Sequence, residues 1–99
     1  MIVLSGTVRI APGRKADAEP HIRSIVAASR AEPGCLAYSF AYDVEDPDLV
    51  RIFEIYADEE ALAAHRAAPH FAAWRAAWAQ AGIGDRQMKE YRVSEAKDI

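Results

Sequence analysis

Apolar and polar residues alternate in four stretches of this chain, and each of them predicts a β-strand. The first stretch places aliphatic residues on one face and Ser5, Thr7 and Arg9 on the other. The second alternates large aromatic residues with small ones, and the fourth has the weakest pattern. The predicted strands are Ile2 to Ile10, Cys35 to Tyr42, Leu49 to Tyr56 and Asp85 to Ser94.

Between the first two strands, apolar residues at helical spacing predict a helix that runs to about Ala31. Pro20 limits where this helix can start, because an interior proline loses a hydrogen bond and clashes with the preceding turn. Two starts remain open. Either Asp17 caps a helix with Pro20 in its first turn, or the helix starts earlier and is kinked at Pro20.

A second helical region follows the third strand. Asp58 is a good N-cap, and the helix behind it should cover about Glu59 to Ala67. Pro69 interrupts the pattern, and a further helix is predicted from His70 to about Ala81. Gly82 then supplies a helix C-terminus.

The order β-α-β-β-α-β predicts an α+β fold of the ferredoxin-like, split βαβ type. We expect a four-stranded antiparallel sheet with both helices on one face. Residues 1–94 should form this single domain, and residues 95–99 a C-terminal tail.

The face of the sheet without helices should also be apolar. We expect it to carry either Tyr38 and Phe40 or Val50, Ile52 and Tyr56, depending on how the second and third strands are set. An exposed apolar sheet predicts an interface, and two such sheets packed together would form a dimeric α+β barrel. The expected partner is therefore a second copy of the chain.

Composition narrows the function classes. Of 99 residues, 52% are hydrophobic and 27% are charged, so the chain is apolar enough to fold and to oligomerise. The net charge of -3, with scattered basic residues, argues against nucleic acid or an anionic membrane as partner. Because Cys35 is the only cysteine and no apolar run could span a bilayer, we expect a cytoplasmic protein.

The passage from Phe53 to Phe71 concentrates groups that can move or orient a proton: Glu54, Tyr56, His65 and His70. We expect this passage to line any pocket that the fold contains. The chain has no glycine-rich phosphate loop and no Ser-His-Asp signature. We expect no metal site either, since the two histidines are five residues apart with a proline between them.

Three segments resemble the antibiotic biosynthesis monooxygenase family, including its quinol monooxygenase members. They are E-P-G-C-L-A-Y at Glu32 to Tyr38, the hairpin that ends in Glu54 and an aromatic residue, and A-L-A-A-H-R-A-A-P-H-F at Ala61 to Phe71. The resemblance implies a dimeric α+β barrel with a cleft between sheet and helices. In several members of that family, oxygen attacks an electron-rich substrate without metal or flavin, so no cofactor is expected.

The haem-degrading relatives are similar to the same family in fold. They use an asparagine on the first strand and a tryptophan after the strand that carries the glutamate. This chain has Thr7 and Tyr56 in those places, which argues against haem degradation.

His65 is the leading candidate for a catalytic base or hydrogen-bond donor, because an imidazole titrates near neutral pH. Glu54 would orient it or bind a substrate hydroxyl. In a purely structural interpretation the two side chains form a pair, or Glu54 pairs with Arg51 or Arg92. Further residues could contact the substrate, although most of them could also be core: Tyr56, Thr7, Tyr38, Phe71, Trp74 and His70.

The leading hypothesis is an oxygenase that uses O2 on a small phenolic or quinol-type aromatic substrate. One alternative is a non-catalytic module, either stress-related or binding a small hydrophobic molecule, and a cleft too small for a ring would favour it. Another is a non-oxidative isomerase or decarboxylase that uses the same His65 and Glu54.

Overall fold

The computed structural model describes residues 1–99 and contains four strands and three helices. None of the helices is both long and apolar enough to cross a membrane. In chain order the elements are β1 (Ile2–Ile10), α1 (Lys15–Arg30), β2 (Cys35–Tyr42), β3 (Leu49–Tyr56), α2 (Glu59–Ala67), α3 (Pro69–Ala81) and β4 (Ile83–Arg92).

The strands form one antiparallel sheet in the order β2-β3-β1-β4. The three helices cover one face of this sheet, and the buried side chains of β1 and β3 point toward them. The predicted ferredoxin-like α+β fold is confirmed. The second predicted helical region consists of two helices, α2 and α3, joined at Pro69.

Most element boundaries lie within two residues of the prediction, although α3 starts at Pro69 rather than His70 and β4 ends at Arg92 rather than Ser94. The first helix starts at Lys15, so Pro20 lies in its second turn and the earlier of the two starts is the observed one. The Pro20 ring is exposed, so it does not disturb the packing of the core. The last strand starts at Ile83 rather than Asp85, because the chain turns at Gly82 and pairs at once with Ile10.

The expectation for the open face of the sheet was wrong. Tyr38 pairs directly with Glu54, and Phe40 with Ile52, so both expected sets of residues lie together on the face that the helices cover. The reason is that the hairpin register aligns the large residues of β2 with those of β3. The open face instead carries Val3, Phe53, Ile55 and Tyr91 among polar residues that include Ser5, Thr7 and Arg9.

Local sequence signals fix the position of α2. The Asp58 carboxylate accepts the backbone N–H of Ala61 at 2.8 Å and so caps the helix. Ala68 is extended, as a residue before proline tends to be, and Pro69 starts α3. A break at this point lets α2 and α3 take different directions over the sheet, and each presents its own side chains to it.

Gly34 allows α2 to approach the start of β2. A Cβ atom added at Gly34 would lie 2.3 Å from the Cβ of Ala61. In addition, the backbone N–H of Ala57 donates to the carbonyl of Gly34 at 2.9 Å. The turn between α1 and β2 is thereby held against the first turn of α2.

We predict that Gly34→Ala destabilises the protein by about 1–3 kcal/mol, because the new methyl group forces α2 away from the turn. Chemical denaturation would measure the free energy of unfolding. Gly84→Ala is the matched control, since an added Cβ there meets nothing within 4 Å. Equal stability of the two variants would contradict the close-approach argument.

Candidate active site

A buried histidine lies where β3, α2 and α3 meet. His65 projects from α2 toward the sheet and is only 2% exposed. Its ring centre lies 5.1 Å from that of Tyr56 and 5.6 Å from that of Tyr38. On the α3 side, Phe71 meets the imidazole edge-on at 5.2 Å. The aromatic rings therefore fix the plane of the imidazole.

A carboxylate from another part of the chain orients this imidazole. The Nδ1 of His65 lies 2.9 Å from Oε2 of Glu32, in the turn between α1 and β2. The Nε2 of His70 hydrogen-bonds the same oxygen. Because an ionised carboxylate only accepts, both imidazoles donate to it. The expectation that Glu54 orients His65 was therefore wrong, since Glu32 does so.

Glu54 lies on the opposite side of the imidazole. Its Oε1 is 4.0 Å from Nε2 of His65, which is too far for a hydrogen bond. The same oxygen accepts the hydroxyl of Tyr56 at 2.6 Å. Burial raises the pKa of Glu54, with the Tyr56 hydrogen bond and the His65 charge opposing the effect. Burial and the Glu54 charge likewise raise the pKa of Tyr56.

The structure also tests the interpretation in which Glu54 pairs with Arg51 or Arg92. Arg51 lies on the open face, where its Nε donates to Asp43 at 2.8 Å. Arg92 bonds Glu90 and Glu59. Neither arginine that the sequence suggested as a structural partner contacts Glu54.

Next to His65 and Glu54 is a small cavity of about 40 Å³. This volume accommodates a few water molecules and is too small for an aromatic ring. Apolar side chains form its floor, and three arginines from three elements complete its lining: Arg66, Arg75 and Arg86.

A second hollow lies elsewhere. It has a volume of about 220 Å³ and lies between α1 and the β2–β3 hairpin, with Val26, Phe40 and Val50 among its lining residues. It contains no histidine and no buried carboxylate. The groups able to move a proton therefore line the smaller of these two cavities.

Comparison with known proteins places this arrangement in a family. The model of the family described as antibiotic biosynthesis monooxygenase matches residues 1–77. The chain belongs to the antibiotic biosynthesis monooxygenase family. The resemblance noted in the sequence is confirmed, and the matched segment contains both histidines, Glu32 and Glu54.

Solved structures agree with this assignment. PA3566 from Pseudomonas aeruginosa is 32% identical, with a TM-score of 0.82 and 94% of each chain covered. A Deinococcus radiodurans protein, provisionally named an antibiotic biosynthesis monooxygenase, has a TM-score of 0.90 and 26% identity, covering 100% of this chain and 98% of that one. The uncharacterised protein sll1783 of Synechocystis is 26% identical over 98 residues, which are 99% of this chain and 67% of that protein.

Five of the six residues predicted to contact a substrate do not line the cavity of this family member. Tyr38 and Tyr56 pack against the His65 ring instead. Thr7 is on the open face of the sheet, opposite His65, because β1 alternates and the even-numbered residues face the helices. Trp74 is core, packed edge-on against Phe40 at 5.5 Å. His70 bonds Glu32 and does not line the cavity. Among the candidates on α3, only Phe71 both contacts the His65 ring and lines the cavity.

Several residues at the site were missed by sequence reasoning. Glu32 was quoted only in the family-like segment and was given no role at the site, because 33 positions separate it from His65. Arg75 and Trp78 could have been found, because they share a helical face with Phe71 at i+4 and i+7. Arg86 required the register of β4, which the weak pattern did not supply.

The Glu32 cluster is also a set of metal-ligand atoms. One carboxylate oxygen and one nitrogen from each of His65 and His70 lie within 4.8 Å of one another. A donor set of two imidazoles and one carboxylate suits first-row divalent metals. The spacing argument overlooked it because the third donor comes from another element. The hydrogen bonds described above already satisfy this carboxylate within the protein.

We predict that Glu54→Gln raises the free energy of unfolding at neutral pH by roughly 0.5–2 kcal/mol. Because burial raises the pKa of Glu54, ionisation at high pH favours the unfolded state. The gain should vanish at acid pH, where the carboxyl is protonated in both states, and grow as the pH rises through the ordinary carboxyl range.

Denaturant titrations at several pH values would measure this difference. Glu45→Gln is the control, since it removes the same charge from an exposed turn. A gain that does not depend on pH would contradict the burial argument.

Proposed function

We propose that this family member is a cofactor-independent monooxygenase that oxidises a small phenolic or quinol-type substrate with O2. One observation carries the proposal. The Nδ1–H of His65 is held by Glu32 at 2.9 Å, which leaves Nε2 without a hydrogen bond on the side of Glu54 and the cavity. An imidazole held in this way by a carboxylate is poised to accept a proton.

The reaction follows from that tautomer. Nε2 of His65 accepts the proton of a phenolic hydroxyl, and the resulting phenolate is electron-rich enough to reduce oxygen itself. For a hydroquinone, one oxygen atom enters the ring to give a hydroxyquinone. The other oxygen atom leaves as water with the two hydrogens that the substrate loses. Glu32 stabilises the imidazolium during the transfer.

Glu54 serves the second polar group of the substrate. Its carboxyl lies beside the cavity, and the hydroxyl of Tyr56 fixes one of its oxygens. The raised pKa favours the protonated form, which can donate a hydrogen bond to an oxygen that gains charge during the reaction. Phe71 provides an aromatic wall against which a ring can stack.

A ring must enlarge the cavity to enter it. The lining includes long arginine side chains and Met88, which can change rotamer more easily than a branched core residue. Arg66, Arg75 and Arg86 are largely exposed, so they can move without opening the main core. Binding should therefore displace side chains at the mouth and leave the strands in place.

The test is oxygen consumption with a panel of quinols and anthrones, together with identification of the product. We predict that His65→Ala lowers kcat/KM by about 10²–10⁴-fold. Glu32→Gln should lower kcat and alter its pH profile, because Nδ1 loses its charged acceptor. Activity should survive dialysis against a chelator.

His21→Ala is the control, because His21 is exposed on α1. The monooxygenase proposal is abandoned if the wild type turns over no compound of the panel, or if activity is lost with the chelator and restored by a divalent metal. Products formed equally without oxygen would indicate the isomerase or decarboxylase chemistry instead.

A second candidate function is a non-catalytic module. The cavity beside His65 is too small for a ring, which is the outcome expected for such a module, and a separate hollow lies between α1 and the β2–β3 hairpin. At about 220 Å³ it exceeds the ~150 Å³ of an engineered apolar cavity that binds benzene. A non-catalytic module would bind a small hydrophobic molecule there, against Phe40 and Val26. Binding that is blocked by Val26→Trp and unchanged by His65→Ala, with no oxygen consumption, would favour this candidate.

We further propose that the protein is a cytoplasmic homodimer joined through the open face of the sheet. The lone Cys35 forms no disulfide, as suits a reducing compartment. On the open face, Phe53 is 42% exposed and Tyr91 is 49% exposed, with Val3 and Ile55 beside them. This apolar strip supports packing against a second sheet.

We predict that Phe53→Glu shifts the protein from dimer to monomer, because two buried carboxylates would face an apolar surface. Sedimentation equilibrium would give the mass of each species. Val44→Glu is the matched control, since Val44 is fully exposed in the hairpin turn. A wild-type protein that is monomeric at all concentrations would refute the dimer.

A further inference from the structure

Three arginines surround the same small cavity as the proposed catalytic base. Arg66 comes from α2, Arg75 from α3 and Arg86 from β4, and all three line the cavity next to His65 and Glu54. The sequence brings them from three separate elements, so no run of basic residues explains their meeting. Glu54 is the only carboxylate in the lining.

Two of these three arginines, Arg75 and Arg86, form no ion pair. Arg75 has no ion pair, and its guanidinium lies 4.3 Å from the centre of the Trp78 ring. Arg86 has neither an ion pair nor a hydrogen bond, whereas Arg66 forms an ion pair with Glu90 at 3.6 Å. Elsewhere, Arg23 and Arg30 also form no ion pair, whereas four arginines do: Arg9, Arg14, Arg51 and Arg92.

The positive charges also oppose one another. Burial and the charges of Arg75 and Arg66 lower the pKa of Arg86, while Glu54 acts in the other direction. Since Glu54 already accepts a hydrogen bond from Tyr56, it is poorly placed to neutralise three guanidinium groups. An anion at the mouth would relieve this repulsion.

A neutral donor in the same lining is consistent with this role. The indole N–H of Trp78 is buried and has no hydrogen-bond partner. Buried donors are normally satisfied, and an oxyanion offers several acceptor positions at once. Trp78 and Arg86 both lie beyond residues 1–77, the segment that the family model matches.

We propose, on the basis of the proposed function, that the substrate is an anionic phenol whose oxyanion group binds Arg75 and Arg86. Guanidinium groups bind carboxylates and sulfur or phosphorus oxyanions through paired, charge-assisted hydrogen bonds. The phenolic end of the ring is then directed toward His65 and Glu54. Neutral quinols fit the catalytic groups but leave the arginines unpaired.

Equilibrium binding without oxygen tests this proposal apart from turnover. We would compare hydroquinone, 2,5-dihydroxybenzoate and 2,5-dihydroxybenzenesulfonate by calorimetry, and follow Trp78 by fluorescence. The two anions should bind at least about tenfold more tightly than hydroquinone, and high salt should reduce the difference. The carboxylate and the sulfonate distinguish the kinds of oxyanion that the site accepts.

Arg75→Ala and Arg86→Glu should abolish the preference for the anions over hydroquinone. Both side chains are exposed, so these variants should fold. Arg14→Ala is the control, because that guanidinium is paired with Asp17 at 2.6 Å. Equal binding of all three ligands, or an equal loss of preference in Arg14→Ala, would overturn the proposal.

Benzoate separates this proposal from the oxygenase. It carries the anion but no oxidisable hydroxyl, so benzoate should bind with the same dependence on Arg75 and Arg86. Anion binding without oxidation of any dihydroxy compound would support the arginine site and overturn the monooxygenase. Oxidation of hydroquinone without any preference for anions would support the monooxygenase and overturn the arginine site.

Discussion

The Glu32 carboxylate is the constraint on which the site depends. A single oxygen of Glu32 accepts hydrogen bonds from His65 on α2 and His70 on α3. It therefore connects the turn after α1 to both later helices, across the break at Pro69. Gly34 makes this connection possible, because any larger residue would push α2 away from the turn.

This one contact serves both stability and chemistry. Structurally, it satisfies Nδ1 of a histidine that is almost fully buried. Chemically, it fixes the proton on Nδ1 of His65 and frees Nε2 toward Glu54. The same carboxylate and imidazoles also form a ready set of metal ligands, so the hydrogen-bonded and metal-bound forms of the cluster exclude each other.

The site combines two opposite charge environments within a small space. Burial raises the pKa of Glu54, whereas three arginines in the same lining concentrate positive charge. A neutral aromatic ligand would use only the first, and an anionic phenol would use both. Because the cavity holds about 40 Å³ in this structure, any such ligand must enter by moving the arginine side chains.

The sequence by itself determined the elements and the family. Alternation identified β1, β2 and β3 with their observed ends, and Asp58 with Pro69 delimited α2, because these signals act between near neighbours in the chain. It also identified His65 and Glu54 as candidates. Only the tertiary structure decided which groups meet, because pairing register and helix placement depend on contacts between distant residues. For that reason Glu32, 33 positions away, replaced Glu54 as the partner of His65, and Thr7 fell on the opposite face.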